Sequence, residues 1–492
     1  MKIKTIKRIT QSFIFVLICL AFWYLRYPMS GWFNPVYFFQ LSPLAAAASF
    51  FLMPVLLISA GLIIFTFIFG RVFCGWICPY GTLMDIAAFI AAPLRKYKET
   101  QPSFIKSKYF LLVLLTVFLF LGFQIFYMFE PVTAFARGFY FTLYSVKNNI
   151  LVDVFGKIIS ANPGVTAETL NGFFKNFIIE NRHVVFNNNI ITFIFFAVPL
   201  FFVLIKRRFW CRYICPLGSC LAIIARFSLL KRKSLICSDG CLRCVSQCRM
   251  NAVKSDNSYV PHECILCGDC IDGPCGKESE FIFFMPFKKQ HKLNEETGIN
   301  RKDFILWSLA GLILFFGWKK IKDGNRNVIR PPGAEDEESF KVKCVRCGNC
   351  MKVCVTNGLQ PVLLESGFDG IWTPKLDPNT GYCEYECVLC TKVCPTGAIR
   401  KLTEKEKIYT KIGIAKIQKD VCVPWKDGLE CLVCEEHCPV ASKAIKLQKI
   451  TVNGNEVQAP YIQEELCVGC SVCENKCPAF ENNKKGIIVE PI

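Results

Sequence analysis

Two stretches of this chain read alike: RVFCGWICPYGT at residues 71–82 and RFWCRYICPLGS at residues 208–219. Each begins with an arginine, continues through Cys-x3-Cys-Pro and ends with a glycine and a hydroxyl residue. Both lie where a long apolar run meets a basic segment. A repeat of this length indicates an internal duplication, and the other features of the chain are arranged around it.

The composition is that of a protein lying partly in a membrane. Of the 492 residues, 52% are hydrophobic, and the mean hydropathy is +0.34. Lys and Arg number 58 against 39 Asp and Glu, and many of the basic residues flank apolar runs. This pattern is typical of cytoplasmic membrane loops rather than of a nucleic-acid surface. We therefore expect a membrane, and no nucleic acid, among its partners.

The apolar runs predict four to five transmembrane helices, since a bilayer crossing needs about 20 apolar residues. They cover residues 13–24, 44–69, 109–129, 190–205 and, more briefly, 304–318. Basic residues before the first run and in the loops following the second and fourth runs place the N-terminus and those loops in the cytoplasm. The less basic segment 131–189 is then expected outside.

The predicted fold class is an α-helical membrane bundle joined to α+β modules of the bacterial ferredoxin type, each with two 4Fe-4S clusters. The predicted domains are a transmembrane domain at 1–230 with both repeats, a cytoplasmic two-cluster module at 231–290, and a four-cluster domain at 321–492. Between them, residues 300–320 form either a fifth transmembrane helix or a degenerate twin-arginine-like anchor.

The chain has 30 cysteines, far more than packing requires. Most lie in paired runs resembling C-x2-C-x2-C-x3-C-P, in which the fourth cysteine of each run ligates the cluster of the other run. Zinc also takes four thiolates at Cys-x2-Cys spacing, but tandem pairs closed by Cys-Pro favour 4Fe-4S clusters. The spacing predicts six clusters.

Crossing the fourth cysteines gives six ligand groups, each named by its first member. They are the Cys237 group (Cys237, Cys241, Cys244, Cys275), the Cys264 group (Cys264, Cys267, Cys270, Cys248), the Cys344 group (Cys344, Cys347, Cys350, Cys394), the Cys383 group (Cys383, Cys387, Cys390, Cys354), the Cys422 group (Cys422, Cys431, Cys434, Cys477) and the Cys467 group (Cys467, Cys470, Cys473, Cys438).

Four further cysteines, the repeat thiols Cys74, Cys78, Cys211 and Cys215, belong to the two Cys-x3-Cys-Pro motifs. Residues i and i+4 share a helix face, so each motif is expected to direct two sulfurs the same way. Three interpretations stay open: an additional metal or iron–sulfur centre, one redox-active disulfide per motif, or reduced structural thiols. Aromatic residues near Arg71 and Arg208 could form the floor of a quinone pocket.

Other redox cofactors lack ligands or binding motifs. The four histidines all lie outside the apolar runs, and Cys-x2-Cys-His does not occur. Bis-histidine haem in the membrane and c-type haem are therefore excluded. A Gly-x-Gly-x-x-Gly following a strand is also missing, so nicotinamide binding has no support.

Residues 1–290, with paired Cys-x3-Cys-Pro motifs and a ferredoxin pair, resemble the NapH membrane ferredoxins, which are related to NosR-type regulators. From about residue 300 the chain resembles the NapG/MauM ferredoxins. That resemblance is carried by RPPGA at 330–334, CVRCGNC at 344–350 and the long-gap run 422–438. NapG-type proteins carry a twin-arginine export signal, and NRKDFI at 300–305 is a degenerate form of it.

The resemblance implies a multi-pass protein of the bacterial inner membrane that takes electrons from the quinone pool. The electrons would pass to a soluble or periplasmic redox partner, so that the chain serves as the electron-transfer component of a quinol dehydrogenase-like system. The N-terminus would be cytoplasmic and the C-terminal ferredoxin domain periplasmic. The alternatives are a FixG-like metal-reducing or assembly factor for another redox enzyme, and a C-terminal domain that stays in the cytoplasm.

Overall fold

The computed structural model describes residues 3–24, 53–94, 106–161, 183–187, 189–233, 243–253, 259–271, 280–283, 301–319, 328–482 and 484–492. The chain forms two compact units. Unit 1 comprises residues 1–25, 31–138 and 190–320, and unit 2 comprises residues 26–30, 139–189 and 321–492. The described residues 139–161 and 183–187 therefore group with the C-terminal cysteine groups, and the predicted domain boundaries stay a prediction.

The α-helices follow one another along both units. Their bounds are α1 Ile3–Tyr24, α2 Met53–Phe69, α3 Pro79–Ile90, α4 Ser107–Phe120, α5 Phe126–Phe129, α6 Pro131–Gly138, α7 Ser145–Ala161, α8 Asn189–Phe201, α9 Phe209–Tyr213, α10 Pro216–Ala225, α11 Arg243–Gln247, α12 Arg301–Lys319, α13 Glu337–Lys343, α14 Asn349–Lys352, α15 Leu389–Lys392, α16 Glu404–Lys407, α17 Val423–Lys426, α18 Val433–Glu436 and α19 Val472–Lys476. Two π-helical segments, Phe73–Ile77 and Phe139–Tyr144, interrupt the series.

The strands are short and pair only in twos within the described residues. They are β1 Leu230–Lys233, β2 Glu280–Phe283, β3 Leu359–Pro361, β4 Pro374–Leu376, β5 Gly413–Ile417, β6 Ile445–Val452, β7 Asn455–Ile462, β8 Phe480–Glu481, β9 Lys484–Lys485 and β10 Ile487–Pro491. The antiparallel pairs are β1–β2, β3–β4, β6–β7, β8–β9 and β5–β10. The last pair joins the end of the chain to the strand before the Cys422 group.

Within the described residues, one helix is long and apolar enough to cross a bilayer, over Ile3–Phe22. Four other apolar helical stretches have 10–17 residues. Residues 44–52, the first part of the second predicted run, lie outside the described residues. The four-to-five-helix bundle thus stays a prediction.

The expectation of one continuous helix across the third apolar run, 109–129, is wrong. Helix α4 ends at Phe120, and Gly122 follows with φ +86°, a left-handed conformation that glycine tolerates best. The Phe123 amide then turns back to donate to the Phe118 carbonyl. The chain resumes as two short helices, α5 and α6, whose described side chains are largely buried in unit 1.

Helices α4 and α12 of unit 1 pack side by side in the same direction. At their starts, Lys106 Nζ lies 3.0 Å from Asp303 Oδ2. One turn further, the rings of Phe110 and Trp307 meet edge to face at 5.7 Å. Beyond them, Gly311 of α12 packs against α4, where a Cβ would lie 3.4 Å from Leu114. Contacts that advance together along both helices mean that the helices are parallel.

In unit 2, the segment between the third and fourth apolar runs packs on the cysteine-rich domain. The rings of Phe141 and Phe186 pack at 4.8 Å, and Phe141 also abuts Gly348 of the Cys344 loop. The Val185 carbonyl accepts hydrogen bonds from the side chains of Asn357 and Gln360. This segment is therefore part of the framework around the first C-terminal cysteine group.

Candidate functional site

The Cys344 group surrounds one cavity in unit 2 and contributes all four of its cysteines to the lining. Cys344 ends α13 in an extended conformation, and Gly348, at φ +87°, turns the chain into α14. Cys394 arrives from a distant part of the sequence and accepts the Ile399 amide at 3.4 Å. The structure thus brings together the four sulfurs that crossed spacing assigned to one group.

A second cavity in unit 2 is lined by the four cysteines of the Cys383 group. Its crossing member, Cys354, accepts the Leu359 amide at 3.4 Å, which repeats the contact made by Cys394. Each crossing cysteine also lies near a hydroxyl two residues later, Thr356 or Thr396, at 3.6 and 3.9 Å. The two halves of this pair are therefore built alike.

The remaining cysteines of unit 2 also approach one another in the crossed sets. Burial, with the nearby Cys422, Cys431 and Cys477, raises the pKa of the Cys434 thiol to about 12. Burial likewise raises the pKa of Cys470 to about 11, with contributions from Cys438 and Cys467. A protonated thiol is the form that burial favours in the absence of a metal.

The four groups of unit 2 follow one another in space in an order that differs from the sequence. Cys350 of the Cys344 group lies near Cys390 of the Cys383 group. The Cys383 amide donates to the Cys470 carbonyl at 2.9 Å, which joins the Cys383 group to the Cys467 group. Cys473 in turn lies near Cys434 of the Cys422 group. The order is Cys344, Cys383, Cys467, Cys422.

In unit 1, a third cavity is lined by the four cysteines of the Cys264 group, together with Arg232 and Tyr259. Of the Cys237 group, Cys244 is described, and its sulfur lies 3.9 Å from the Cys270 carbonyl oxygen. Its other members, Cys237, Cys241 and Cys275, lie outside the described residues. Throughout the described residues, no three His, Cys, Asp or Glu side chains converge on a single metal ion.

The two Cys-x3-Cys-Pro motifs are breaks between helices, so the expected pair of sulfurs on one helix face is wrong. Cys78 and Cys215 are extended residues that precede α3 and α10. Pro79 and Pro216 occupy the first helical turn, where a missing amide hydrogen costs nothing. The Cys215 sulfur caps α10 by accepting the Gly218 amide at 3.1 Å. The prolines therefore start the next helix rather than disturb it.

The repeat thiols gather in one buried place in unit 1. Burial raises the pKa of Cys211 to about 11, Cys74 raises it further, and Arg208 opposes the rise. Burial also raises the pKa of Cys215, to which Cys211, Cys74 and Cys78 all lie close enough to contribute. All four are free cysteines in the structure. The duplication thus brings the four thiols of the two motifs near one another.

The arginine side chain of each motif lies beside the other motif. A Cβ on Gly218 of the second motif would lie 3.1 Å from Nη2 of Arg71. A Cβ on Gly81 of the first motif would lie 3.6 Å from the guanidinium of Arg208. Both arginine side chains are fully buried. Gly218 therefore leaves room for Arg71, whereas the atom nearest to a Cβ on Gly81 would be the Cys74 carbonyl oxygen at 2.9 Å, to which Arg208 donates.

The repeat thiols pack against the loop that carries the Cys264 group. Cys211 clusters with Met250 and Ile265, and Cys74 and Cys267 pack against that cluster. The Trp76 indole donates to the Leu266 carbonyl at 3.0 Å. A Cβ on Gly75 would lie 2.4 Å from the Ile265 carbonyl oxygen. The repeat thiols and the Cys264 group are thus direct neighbours.

Sequence reasoning missed the buried carboxylates that hold the arginines. Glu263 is 4% exposed, accepts from Tyr109 at 2.8 Å and pairs with both Lys108 and Arg71. Although burial opposes its ionisation, Lys108 and Arg71 lower the pKa of Glu263 to about 2. Asp85 plays the matching part for Arg208. The available signal was that each carboxylate stands near a cysteine motif in an otherwise uncharged stretch.

The aromatic residues near the arginines pack together on Trp210. The Trp210 ring lies 5.4 Å from that of Tyr80, 6.2 Å from Phe129 and 6.2 Å from Phe195, centroid to centroid. Trp210 is 2% exposed, and its indole nitrogen has no hydrogen-bond partner among the described residues. The hypothesis of a quinone pocket refers to this group of aromatic rings packed around Trp210.

Comparison with known proteins bears on the repeat directly. A family model described as "4Fe-4S binding domain" matches residues 51–97 and 188–236, which contain the four repeat thiols and end before Cys237. These matches and the relatives below identify 4Fe-4S ferredoxin-type domains in the chain. No solved structure matches.

Three curated relatives are also similar to this chain. The methylamine utilization ferredoxin-type protein MauM of Methylorubrum extorquens is 32% identical over 173 residues, 34% of this chain and 76% of that protein. The ferredoxin-type protein NapG of Escherichia coli is 36% identical over 155 residues, 30% of this chain and 65% of NapG. The regulatory protein NosR of Pseudomonas aeruginosa is 28% identical over 218 residues, 41% of this chain and 24% of NosR.

Proposed function

Because the chain belongs to the family of the MauM ferredoxin-type proteins, we propose that it is a membrane-bound carrier taking electrons from quinol to a periplasmic reductase. It is an iron–sulfur electron-transfer protein related to NapG, MauM and NosR. The observation that carries the finer proposal is that Cys74 and Cys267 both pack against the cluster of Cys211, Met250 and Ile265. This contact joins a site at the membrane boundary to a ferredoxin group.

The proposed cofactors are six 4Fe-4S clusters, one in each cysteine group. Their residues fit such clusters: four sulfurs surround each of three cavities, and backbone amides point at the crossing cysteines. When bound, the clusters supply one-electron transfer steps. The protein's own part is to hold neighbouring groups close together, in the order Cys344, Cys383, Cys467, Cys422 in unit 2.

A seventh cluster at the repeat thiols fits the charges around them better than neutral thiols or disulfides. Arg71 and Lys108 share one carboxylate, Glu263, in full burial. Buried cations without a matching anion are costly, and a 4Fe-4S core with four thiolates carries a charge of about −2. A cluster bound by the nearby Cys264 group would add negative charge that also offsets these buried cations.

Iron and sulfide analysis of fully loaded protein tests the seventh cluster. Seven clusters require about 28 iron atoms per chain, and six require about 24. Serine variants of Cys74 or Cys211 should lose about four. The matched control is Cys220→Ser, which changes a cysteine of α10 outside all seven groups. Wild-type protein that saturates at 24 would return the repeat thiols to a disulfide or a structural role.

The C-terminal domain is proposed to lie on the periplasmic side. Helices α4 and α12 are parallel, so both would leave the membrane on the same side, away from the basic loop before α4. The segment after α4 contributes residues 139–161 and 183–187, which belong to unit 2. A reporter fused after Trp318 should be active on the periplasmic side. Reporter activity confined to the cytoplasm would mean that the C-terminal domain stays in the cytoplasm and transfers electrons there.

Quinol oxidation is tested with purified, cluster-loaded protein in detergent. Menaquinol or ubiquinol analogues should bleach the visible absorption of the clusters, and Cys74→Ala and Cys211→Ala should slow that reduction at least tenfold. Dithionite should still reduce the remaining clusters in both variants. Loaded wild-type protein that no quinol of suitable potential can reduce would remove quinol as the donor and leave the FixG-like alternative.

A further inference from the structure

The two motif arginines are not equivalent in their hydrogen bonding. Arg208 uses its whole guanidinium: Nε and Nη2 donate to Asp85 at 2.8 and 2.6 Å, and Nη1 donates to the Cys74 carbonyl at 2.8 Å. Arg71 donates only through Nη1, to the His262 carbonyl at 3.2 Å and to Glu263 at 3.3 Å. Its Nε and Nη2 have no partner with good hydrogen-bond geometry among the residues that the structure describes, and the Cys74 thiol lies close enough to be a weak acceptor for the guanidinium.

The open edge of Arg71 faces the repeat thiols. A Cβ built on Gly218 would lie 3.1 Å from Arg71 Nη2 and 3.3 Å from the Cys215 sulfur, so both atoms border the same small space. Burial opposes the charge of Arg71, yet Cys74 and Glu263 lie close enough to raise its pKa above the ordinary value. The Nη2 end of the buried guanidinium therefore lies beside the Cys215 sulfur, and the guanidinium as a whole lies close to Cys74.

Neutralising Glu263 does not explain this arrangement. Glu263 keeps Lys108 on Oε2 and Tyr109 on Oε1 without any help from Arg71. Leaving a buried donor unsatisfied costs about 1–3 kcal/mol. A fully buried arginine with two idle donors is consistent with a hydrogen-bond acceptor that arrives with the bound group.

We propose that Arg71 donates hydrogen bonds through Nε and Nη2 to sulfur of an anionic cluster held by Cys74, Cys78, Cys211 and Cys215, and so raises its reduction potential. This inference rests on the proposed seventh cluster. Hydrogen bonds to cluster sulfur and nearby charge are among the factors that set such potentials. They stabilise the more negative, reduced state. In this proposal Arg71 tunes the cluster potential directly, and Arg208, bound by Asp85 and the Cys74 carbonyl, has a structural role.

The lysine variants Arg71→Lys and Arg208→Lys form a matched pair, because both keep the positive charge in place. Redox titration monitored by electron paramagnetic resonance should show the potential of the repeat-thiol cluster falling by at least 59 mV in Arg71→Lys. For a one-electron couple this shift is a tenfold loss of electron affinity. Arg208→Lys, whose donors face Asp85 and a carbonyl, should shift it by clearly less.

A second measurement reports the contact itself. In protein labelled with ¹⁵N-arginine, pulsed electron paramagnetic resonance of the reduced cluster should detect guanidinium nitrogen, and Arg71→Lys should abolish that coupling while Arg208→Lys keeps it. An unshifted potential with the coupling retained in Arg71→Lys would overturn the role of Arg71. Absence of any seventh cluster in loaded wild-type protein would instead overturn the proposed function, so the two failures are distinguishable.

Discussion

Both carboxylate oxygens of Asp85 accept hydrogen bonds from Arg208: Oδ1 lies 2.8 Å from Nε, and Oδ2 lies 2.6 Å from Nη2. The Oδ2 atom of the same carboxylate also forms ion pairs with Lys7 at 3.4 Å and with Arg249 at 2.7 Å. One anion therefore pairs with three cations from different parts of the unit 1 sequence. Burial alone would raise its pKa, but Arg208, Arg249 and Lys7 hold the pKa of Asp85 well below the usual range.

Removing this anion should weaken unit 1 severely. Asp85→Asn leaves two buried cations, Lys7 and Arg208, and the half-buried Arg249 without their common partner. We expect a loss of about 3–5 kcal/mol, seen as earlier thermal unfolding in detergent. The control is Asp303→Asn, which breaks the more exposed pair with Lys106 and should cost about 0–1 kcal/mol. Equal stability of the two variants would contradict the proposed weight of Asp85.

The Asp85 contribution should also be independent of pH across the physiological range. A carboxyl group whose folded pKa is depressed stabilises the fold above its unfolded pKa, about 3.9, and loses that effect as pH falls through the folded value. The difference in stability between wild type and Asp85→Asn should therefore stay constant from pH 8 to about pH 5. Below about pH 4 the difference should shrink as the pH falls, and a difference that stays constant there would show that Asp85 titrates with its ordinary pKa.

Crossed ligation in unit 2 predicts which cysteine losses overlap. Cys344→Ser and Cys394→Ser should each remove about four iron atoms, and the double variant should remove no more, since both would affect one cluster. Cys383→Ser combined with Cys394→Ser should remove about eight. If ligation followed the sequence runs instead, this last pair would remove about four. Iron and sulfide analysis with Cys220→Ser as the control decides between the patterns.

Gly75 should tolerate no side chain. Its Cβ would meet the Ile265 carbonyl oxygen at 2.4 Å, and backbone at that distance must move. Gly75→Ala should therefore cost about 1–3 kcal/mol and loosen the Cys264 loop, detected as faster limited proteolysis. The matched control is Gly61→Ala in α2, where no atom lies within 4 Å. That variant should be neutral or stabilising by up to about 1 kcal/mol. Similar behaviour of the two would argue against the contact.

Arg330 should contribute strongly to the stability of the beginning of the C-terminal domain. It pairs with Glu337 at 2.7 Å, donates to Thr373 and the Pro374 carbonyl, and lies over the Phe340 ring. Arg330→Met should cost about 3 kcal/mol by leaving Thr373 and the Pro374 carbonyl without this donor and Glu337 with only Lys341 and Ser366 as partners among the described residues. Arg400→Met, at a site 62% exposed in its pair with Glu406, should be near neutral. Thermal unfolding of both variants measures the difference.

The sequence was informative wherever ligands are close along the chain. Cysteines two or three residues apart must share a loop, so each triplet of the groups could be assigned without a fold. The fourth members, such as Cys354 and Cys394, came from the ferredoxin pattern, and they line the cavities to which that pattern assigns them. The break after Phe120 was harder to predict, because Leu121–Ile125 continues the apolar composition of the run.

By itself, the sequence determined that the chain carries duplicated Cys-x3-Cys-Pro motifs and paired ferredoxin-type runs, because these depend on spacing within a few residues. Only the tertiary structure decided that the repeat thiols lie near one another, that the side chains of Arg71 and Arg208 each lie beside the other motif, and that Glu263 and Asp85 hold them. Such partners lie more than 100 residues apart, and a buried charge takes its meaning from what surrounds it. Local spacing carries no information about those surroundings.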